Sequence, residues 1–120
     1  NGSKLLITYD SILSFMFEMH GQIDMQAVRA GIAKGDKHML ITSEKDPQVL
    51  DVERSAYQRL ADENPQNVFY ADFKGTDIHD YFKTDRDSKE LKIAAFKLFY
   101  SFAARAINGE PLGALAELVP

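Results

Sequence analysis

The sequence contains no cysteine, which removes several kinds of chemistry at once. A chain without thiols forms no disulfide, offers no thiolate nucleophile and has no ligand for an iron–sulfur cluster or a Cys-based zinc site. It also has no pair of histidines at helical spacing, and neither Gly-x-Gly-x-x-Gly nor Gly-x-x-x-x-Gly-Lys-Ser/Thr follows a predicted strand. Zinc, dinucleotide and P-loop sites therefore lack their ligands. We expect no bound metal and no cofactor.

Long apolar runs and an excess of positive charge are missing as well. No stretch approaches the roughly 20 apolar residues of a membrane-spanning helix, and the first residues do not resemble a signal peptide. Fourteen basic against eighteen acidic side chains give a net charge of −4, so no net positive field attracts phosphates. We therefore expect a soluble protein that binds neither membrane nor nucleic acid. The sequence does not indicate a compartment.

The composition is that of an ordinary folded domain. The 120 residues are 45% hydrophobic and 27% charged, which is the size and mixture of one domain rather than two. We predict a single α/β domain over residues 1–120. Because the chain opens on Asn1 and not on Met, we also expect a processed or trimmed product.

Hydrophobic patterning predicts an alternation of strands and helices. Short apolar, β-branched runs predict strands at residues 4–10, 38–43 and 67–73, and Leu6-Ile7-Thr8 recurs as Leu40-Ile41-Thr42 at an offset of 34 residues. Helical patterns cover residues 11–20, 24–33, 46–64 and 89–108. This order predicts a three-layer α/β fold, with a mainly parallel sheet and helices on both of its faces in the order βαβαβα.

The last predicted helix has a wider apolar face than a surface helix needs. We expect it to pack deep against the sheet, through a face made of Leu91, Ala94, Ala95, Leu98, Phe99, Phe102, Ala103, Ala106 and Ile107.

An acid and a histidine follow two neighbouring predicted strands. Asp46 comes after the second strand and His79 after the third. In parallel sheets the reactive loops collect at the carboxyl ends of the strands, and neighbouring strands lie about 5 Å apart. We therefore expect the Asp46 carboxylate to hold the imidazole of His79. Together they would form two members of a nucleophilic triad, the acid that orients the histidine and the histidine that acts as base.

These segments together resemble the C-terminal portion of an α/β-hydrolase. The resemblance covers residues 38–109 and includes Thr42-Ser43-Glu44-Lys45-Asp46-Pro47, the run Gly75-Thr76-Asp77-Ile78-His79-Asp80 and the closing helix. In that family the acid follows the penultimate strand and the histidine the last strand. The resemblance implies that Asp46 and His79 are the catalytic acid and base of a serine esterase or related acyl hydrolase, and that the chain is the C-terminal part of a larger hydrolase fold.

The sequence departs from that family in one respect. No serine lies between glycines in the pattern Gly-x-Ser-x-Gly, so the nucleophile elbow is absent. A missing portion would have to supply the serine that attacks a small ester substrate. The alternative is a small, non-enzymatic Rossmann-like binding or protein-interaction module, in which the last helix or the Phe/Met-rich segment near residue 16 meets a partner chain. Uncovered sheet edges and apolar faces favour a homodimer or a partner chain that completes the sheet under both hypotheses.

Each candidate residue also has a structural interpretation. Asp46 before Pro47 is a good cap for a helix, and His79 between acids is typical of a solvated loop. His20 and His38 are expected to be structural or exposed. An acidic cluster in and after the third strand does not match a calcium loop and is expected to be a solvated surface; its members are Asp72, Asp77, Asp80, Asp85 and Asp87.

Overall fold

A computed structural model describes residues 24–76 and 85–119 of the chain, and the backbone of residues 5–9. The strands are β1 (Leu5–Tyr9), β2 (Lys37–Ser43) and β3 (Val68–Phe73). The helices are α1 (Met25–Ala33), α2 (Asp51–Glu63), α3 (Arg86–Ile107) and a 3₁₀ helix at Gly113–Leu118. The predicted helix at residues 11–20 lies outside the described residues, as does His20.

The described strands form one sheet in the order β1-β2-β3, and both pairs are parallel. Parallel pairing was expected from the recurrence of Leu-Ile-Thr. The register, however, aligns Thr8 with Leu40, so the two copies of the motif are shifted by two residues and do not lie side by side. β2 pairs with β3 so that Thr42 lies beside Asp72. This pair brings two polar side chains together at the carboxyl end of the sheet.

Alternate residues of β2 point to opposite sides of the sheet and enter two hydrophobic clusters. Met39 and Ile41 pack with Phe69 and Phe73, with α3 and with the 3₁₀ helix. Leu40 and Val68 pack instead with α1 and α2, through residues such as Tyr57 and Leu60. Met39, Leu40 and Ile41 are completely buried, which explains the continuous apolar run of this strand.

The predicted fold class, a three-layer sandwich in the order βαβαβα, needs correction. Only two strands, β2 and β3, are described with their side chains, and they form a small parallel sheet accompanied by four described helices. The fourth of these helices, the 3₁₀ helix, follows α3 and contributes Leu115 to the core, so the βαβαβα order is wrong. The predicted order missed this helix because Pro111 and Gly113 mark the segment as a loop.

Two helix starts show how local chemistry sets the boundaries. Asp24 caps α1, because its carboxylate accepts hydrogen bonds from the N–H groups of Gln26 and Ala27, both at 3.1 Å. The helix predicted from Asp46 begins five residues later, at Asp51. Pro47 lies instead in a turn, and the first turn of α2 is fixed by Glu53, whose carboxylate accepts from the Leu50 N–H at 2.9 Å.

Candidate functional site

The loops that follow β2 and β3 lie at one edge of the sheet and are bonded to each other. The Gly75 N–H donates to the Glu44 carboxylate at 2.8 Å, and the Lys45 N–H donates to the Thr76 carbonyl at 2.9 Å. Gly75 has φ +68°, a conformation that side chains disfavour, so glycine suits this turn. The expected convergence of the two loops is therefore present in the part of the chain that the structure describes.

Asp46 lies in the first of these loops and is buried. Its carboxylate accepts the Gln48 N–H at 2.9 Å, and its own N–H donates to the Ser43 carbonyl at 3.1 Å. Asp46 thus closes a turn before α2 and does not cap the helix itself. His79 lies outside the described residues. The assignment of Asp46 and His79 as catalytic acid and base therefore stays a prediction.

A chain of polar side chains occupies the carboxyl end of β2 and β3. The Thr42 hydroxyl donates to Asp72 Oδ1 at 2.6 Å, and the Tyr70 hydroxyl lies 2.6 Å from the same Thr42 oxygen. A threonine hydroxyl has one proton, so Tyr70 is the donor in the second bond. Asp72 also accepts from Arg54 Nε at 3.2 Å and from Lys74 Nζ at 3.2 Å. Tyr70, Thr42, Asp72 and Arg54 thus form one connected network.

Arg54 joins this network to the loop after β2. Its Nη2 donates to the carbonyls of Ser43 at 2.7 Å and Glu44 at 3.0 Å, and its Nη1 donates to the Val49 carbonyl at 2.8 Å. A guanidinium is suited to this task because its donors are held in a rigid plane and cannot lose their charge. Arg54 therefore fixes the loop that carries Asp46 against the end of β3.

Asp72 and Arg54 each stabilise the charged form of the other. Burial alone would raise the pKa of Asp72, but hydrogen bonds from Thr42, Lys74 and Arg54 and the positive charge of Arg54 outweigh it and lower the pKa. Burial alone would lower the pKa of Arg54, and Asp72 outweighs that effect, so the pKa of Arg54 is raised. Both groups are therefore charged at neutral pH. A carboxylate with three donors on it is a poor proton acceptor, so this cluster is suited to holding loops in place.

A groove of about 480 Å³ runs along β3 between α2 and the 3₁₀ helix. Its floor includes Phe69, Tyr70 and Asp72, and its walls include Gln58 and Leu112. The groove has both polar and apolar walls. Tyr70 and Asp72 of the polar network lie along this groove.

The outer face of α3 carries four of the seven exposed large hydrophobic side chains in the part of the chain that the structure describes. We define it by Ile93, Phe96, Tyr100 and Ile107, whose exposed fractions range from 55% to 76%. At 100° per residue these positions lie on the side of the helix opposite Ala95, Leu98 and Phe102, which enter the core. Ile107 was predicted to face the sheet, and this was wrong. The residues of the outer face were missed because α3 is apolar on two sides and its periodicity does not show which side is covered.

The remaining candidates do not form a site in the described part of the chain. His38 is buried next to Asp36, as a structural histidine would be. Of the acidic cluster, Asp72 belongs to the polar network and Asp85 caps α3, whereas Asp77 and Asp80 lie outside the described residues. Within residues 24–76 and 85–119, no three His, Cys, Asp or Glu side chains are grouped as metal ligands. None of the described helices is long and apolar enough to cross a bilayer.

Comparison with known proteins gives no match to a family model, to a curated protein or to a solved structure.

Proposed function

We propose that this protein is a protein-interaction module and that the outer face of α3 is its binding surface. The observation that carries the proposal is the exposure of Ile93, Phe96, Tyr100 and Ile107 on one side of a single helix. Isolated apolar residues on a surface are common, but several large ones on the same side of one helix are typical of an interaction site. Aromatic residues are also the ones that contribute most to binding energy at protein interfaces.

The spacing of the outer face favours a helix as the binding partner. Its residues are separated by three, four and seven positions, which is the repeat that forms a straight seam along a helix. The seam runs from Ile93 to Ile107 and is about 21 Å long at 1.5 Å per residue. Another helix of three to four turns matches this length, and its apolar side chains would fit between those of the seam.

The charges beside the seam favour an acidic partner helix. Lys89 and Lys97 are exposed at its flanks, although the whole chain has a net charge of −4. Phe96 packs edge-on against Phe99, with ring centroids 6.2 Å apart, so this ring is already held in position before a partner binds. A pre-ordered aromatic anchor with basic flanks is suited to an amphipathic helix whose polar positions are glutamates.

The test is binding of a synthetic amphipathic helix with leucines on one face and glutamates on the others, measured by fluorescence anisotropy. We expect binding to the native chain and at least a tenfold loss of affinity in Phe96→Glu, because that change buries a carboxylate in the contact. Val52→Glu is the matched control, since Val52 is 71% exposed but lies on α2. Equal affinities for the two variants would contradict the proposal, and so would binding to phosphatidylserine vesicles in place of the peptide.

A further inference from the structure

We infer that α1 is released from the sheet when the pH falls, and that His38 triggers this release. The inference goes beyond the proposed function, because α1 packs on one side of the sheet and α3 on the other. It rests on the burial of the imidazole, on its missing hydrogen bonds and on the contact that α1 makes with it.

The imidazole of His38 is buried without hydrogen bonds. His38 is 2% exposed, and within the described part of the chain neither of its ring nitrogens has a hydrogen-bond partner. Most buried polar groups are paired, because burying one without a partner costs free energy. A neutral imidazole has one N–H donor and an imidazolium has two, so protonation adds a second donor and a charge to this site. The buried position therefore disfavours the imidazolium.

The backbone of α1 covers this ring directly. A Cβ atom at Gly31 would lie 2.6 Å from Nε2 and 3.0 Å from Cε1 of His38, so the helix lies against the imidazole. Val28 is the one buried residue that α1 supplies to the cluster around Leu40. A helix of nine residues is not stable alone in water, so α1 depends on these few contacts. Its departure would open the ring to water and leave the rest of both clusters in place.

Asp36 is the charged group that acts on His38 in the described part of the chain. Its carboxylate favours the imidazolium, but burial outweighs this effect and lowers the pKa of His38. Arg29 of α1 and Lys34 at its C-terminal end are exposed, and the neighbours of His38 on β1 and β3 are apolar. From α2, Tyr57 lies on the same side of the sheet, and a tyrosine ordinarily stays neutral well above pH 7. The titration of Asp36 is therefore the one that must be separated from that of His38.

The direction of the pH response follows from the two environments of the ring. When α1 moves away, the imidazole is hydrated and regains an ordinary pKa of about 6.5. The released state therefore binds a proton at a higher pH than the closed state does. Below pH about 6.5 the ratio of released to closed molecules should rise by up to about tenfold per pH unit, until the pH falls below the pKa of the closed state. Above that range the imidazole is neutral in both states and α1 stays closed.

The test is hydrogen–deuterium exchange of the intact chain at pH 7.5 and 5.5, followed by mass spectrometry. Each rate is divided by that of the unstructured sequence at the same pH, because exchange itself depends on pH. Protection of residues 25–33 should fall about three- to tenfold at pH 5.5. Protection of α3 should change much less, because α3 packs on the other side of the sheet.

Variants identify the group that titrates. His38→Leu and His38→Gln should each abolish the difference between the two pH values in α1, and two variants are used so that a packing change in one does not decide the result. His20→Leu and His79→Leu are the matched controls, since they replace the other two histidines and should keep the native response. Asp36→Asn should keep or enlarge the response, because its charge no longer offsets burial. Circular dichroism verifies that each variant is folded.

Equal protection of α1 at the two pH values in the native chain would overturn the inference. An equal loss in α1 and α3 would also overturn it, because acid would then destabilise the whole chain. A response that persists in both His38 variants, or one that disappears in Asp36→Asn, would assign the trigger to another group. Peptide binding by the outer face of α3 is measured separately at pH 7.5, so its failure would contradict the proposed function and not the release of α1.

Discussion

Replacing Arg54 by alanine should destabilise the protein far more than a typical change of an arginine. The guanidinium holds Asp72 and the carbonyls of Ser43, Glu44 and Val49, and the side chains of Arg54 and Asp72 are only 16% and 11% exposed. Breaking a buried ion pair costs about 3–5 kcal/mol, but Asp72 keeps its bonds to Thr42 and Lys74. We therefore expect a loss of about 2–4 kcal/mol in the free energy of unfolding, measured by urea titration.

Arg86→Ala is the matched control for this prediction. Arg86 Nε also lies 3.2 Å from a carboxylate, that of Glu90, but these side chains are 89% and 62% exposed. An exposed pair contributes little, so we expect a change within about 0.5 kcal/mol. Equal losses for Arg54→Ala and Arg86→Ala would refute the reasoning, because the two pairs differ in burial and in the backbone carbonyls that Arg54 alone holds.

Three buried positions give further predictions. Burial lowers the pKa of His38, and the charge of Asp36 offsets this only in part, so the unfolded chain takes up the proton first below pH about 6.5. The free energy of unfolding should therefore decrease as the pH is lowered below about 6.5, by at most about 1.4 kcal/mol per pH unit. Urea titrations at pH 7.5 and 5.5 should show a smaller decrease for His38→Leu than for the native chain. Gly31→Ala should lower the thermal midpoint, since a Cβ there would lie 2.6 Å from His38 Nε2, whereas the open site at Gly113 should accept alanine without a comparable loss. Asp46→Ala should lower the free energy of unfolding, measured by urea titration, by about 1 kcal/mol. Asp46→Asn should lower it less, because an amide oxygen can still accept the Gln48 N–H. Equal losses for the two variants would show that this hydrogen bond is unimportant.

The strands and α1 could be predicted because their signals are local. Three completely buried residues in a row, Met39, Leu40 and Ile41, appear in the sequence as a continuous apolar run. Asp24 is an N-cap that depends only on the next three residues. The meeting of the loops after β2 and β3 followed from parallel pairing alone.

The start of α2 and the polar network could not be predicted, because they depend on contacts between residues that are distant in the sequence or on a competing use of a capping residue. Pro47 suits the first turn of a helix, but Asp46 uses its carboxylate to close a turn and the helix begins only at Asp51. Arg54 reaches back along the chain to Ser43 and across to Asp72, and neither contact leaves a periodic pattern. On α3 two apolar faces compete, and only the packing of Leu98 and Phe102 shows which one is covered.

The most direct test of the central claim, that the outer face of α3 is a binding surface, is to follow a fluorophore beside that face while the amphipathic leucine–glutamate peptide is added. The chain has no cysteine, so Lys97→Cys and Val52→Cys each provide one site for an environment-sensitive label, the first beside the outer face of α3 and the second on α2. The account predicts a blue shift of the label at position 97 that saturates with peptide, and no shift at position 52. Equal shifts at both positions, or a shift at position 52 alone, would contradict the account.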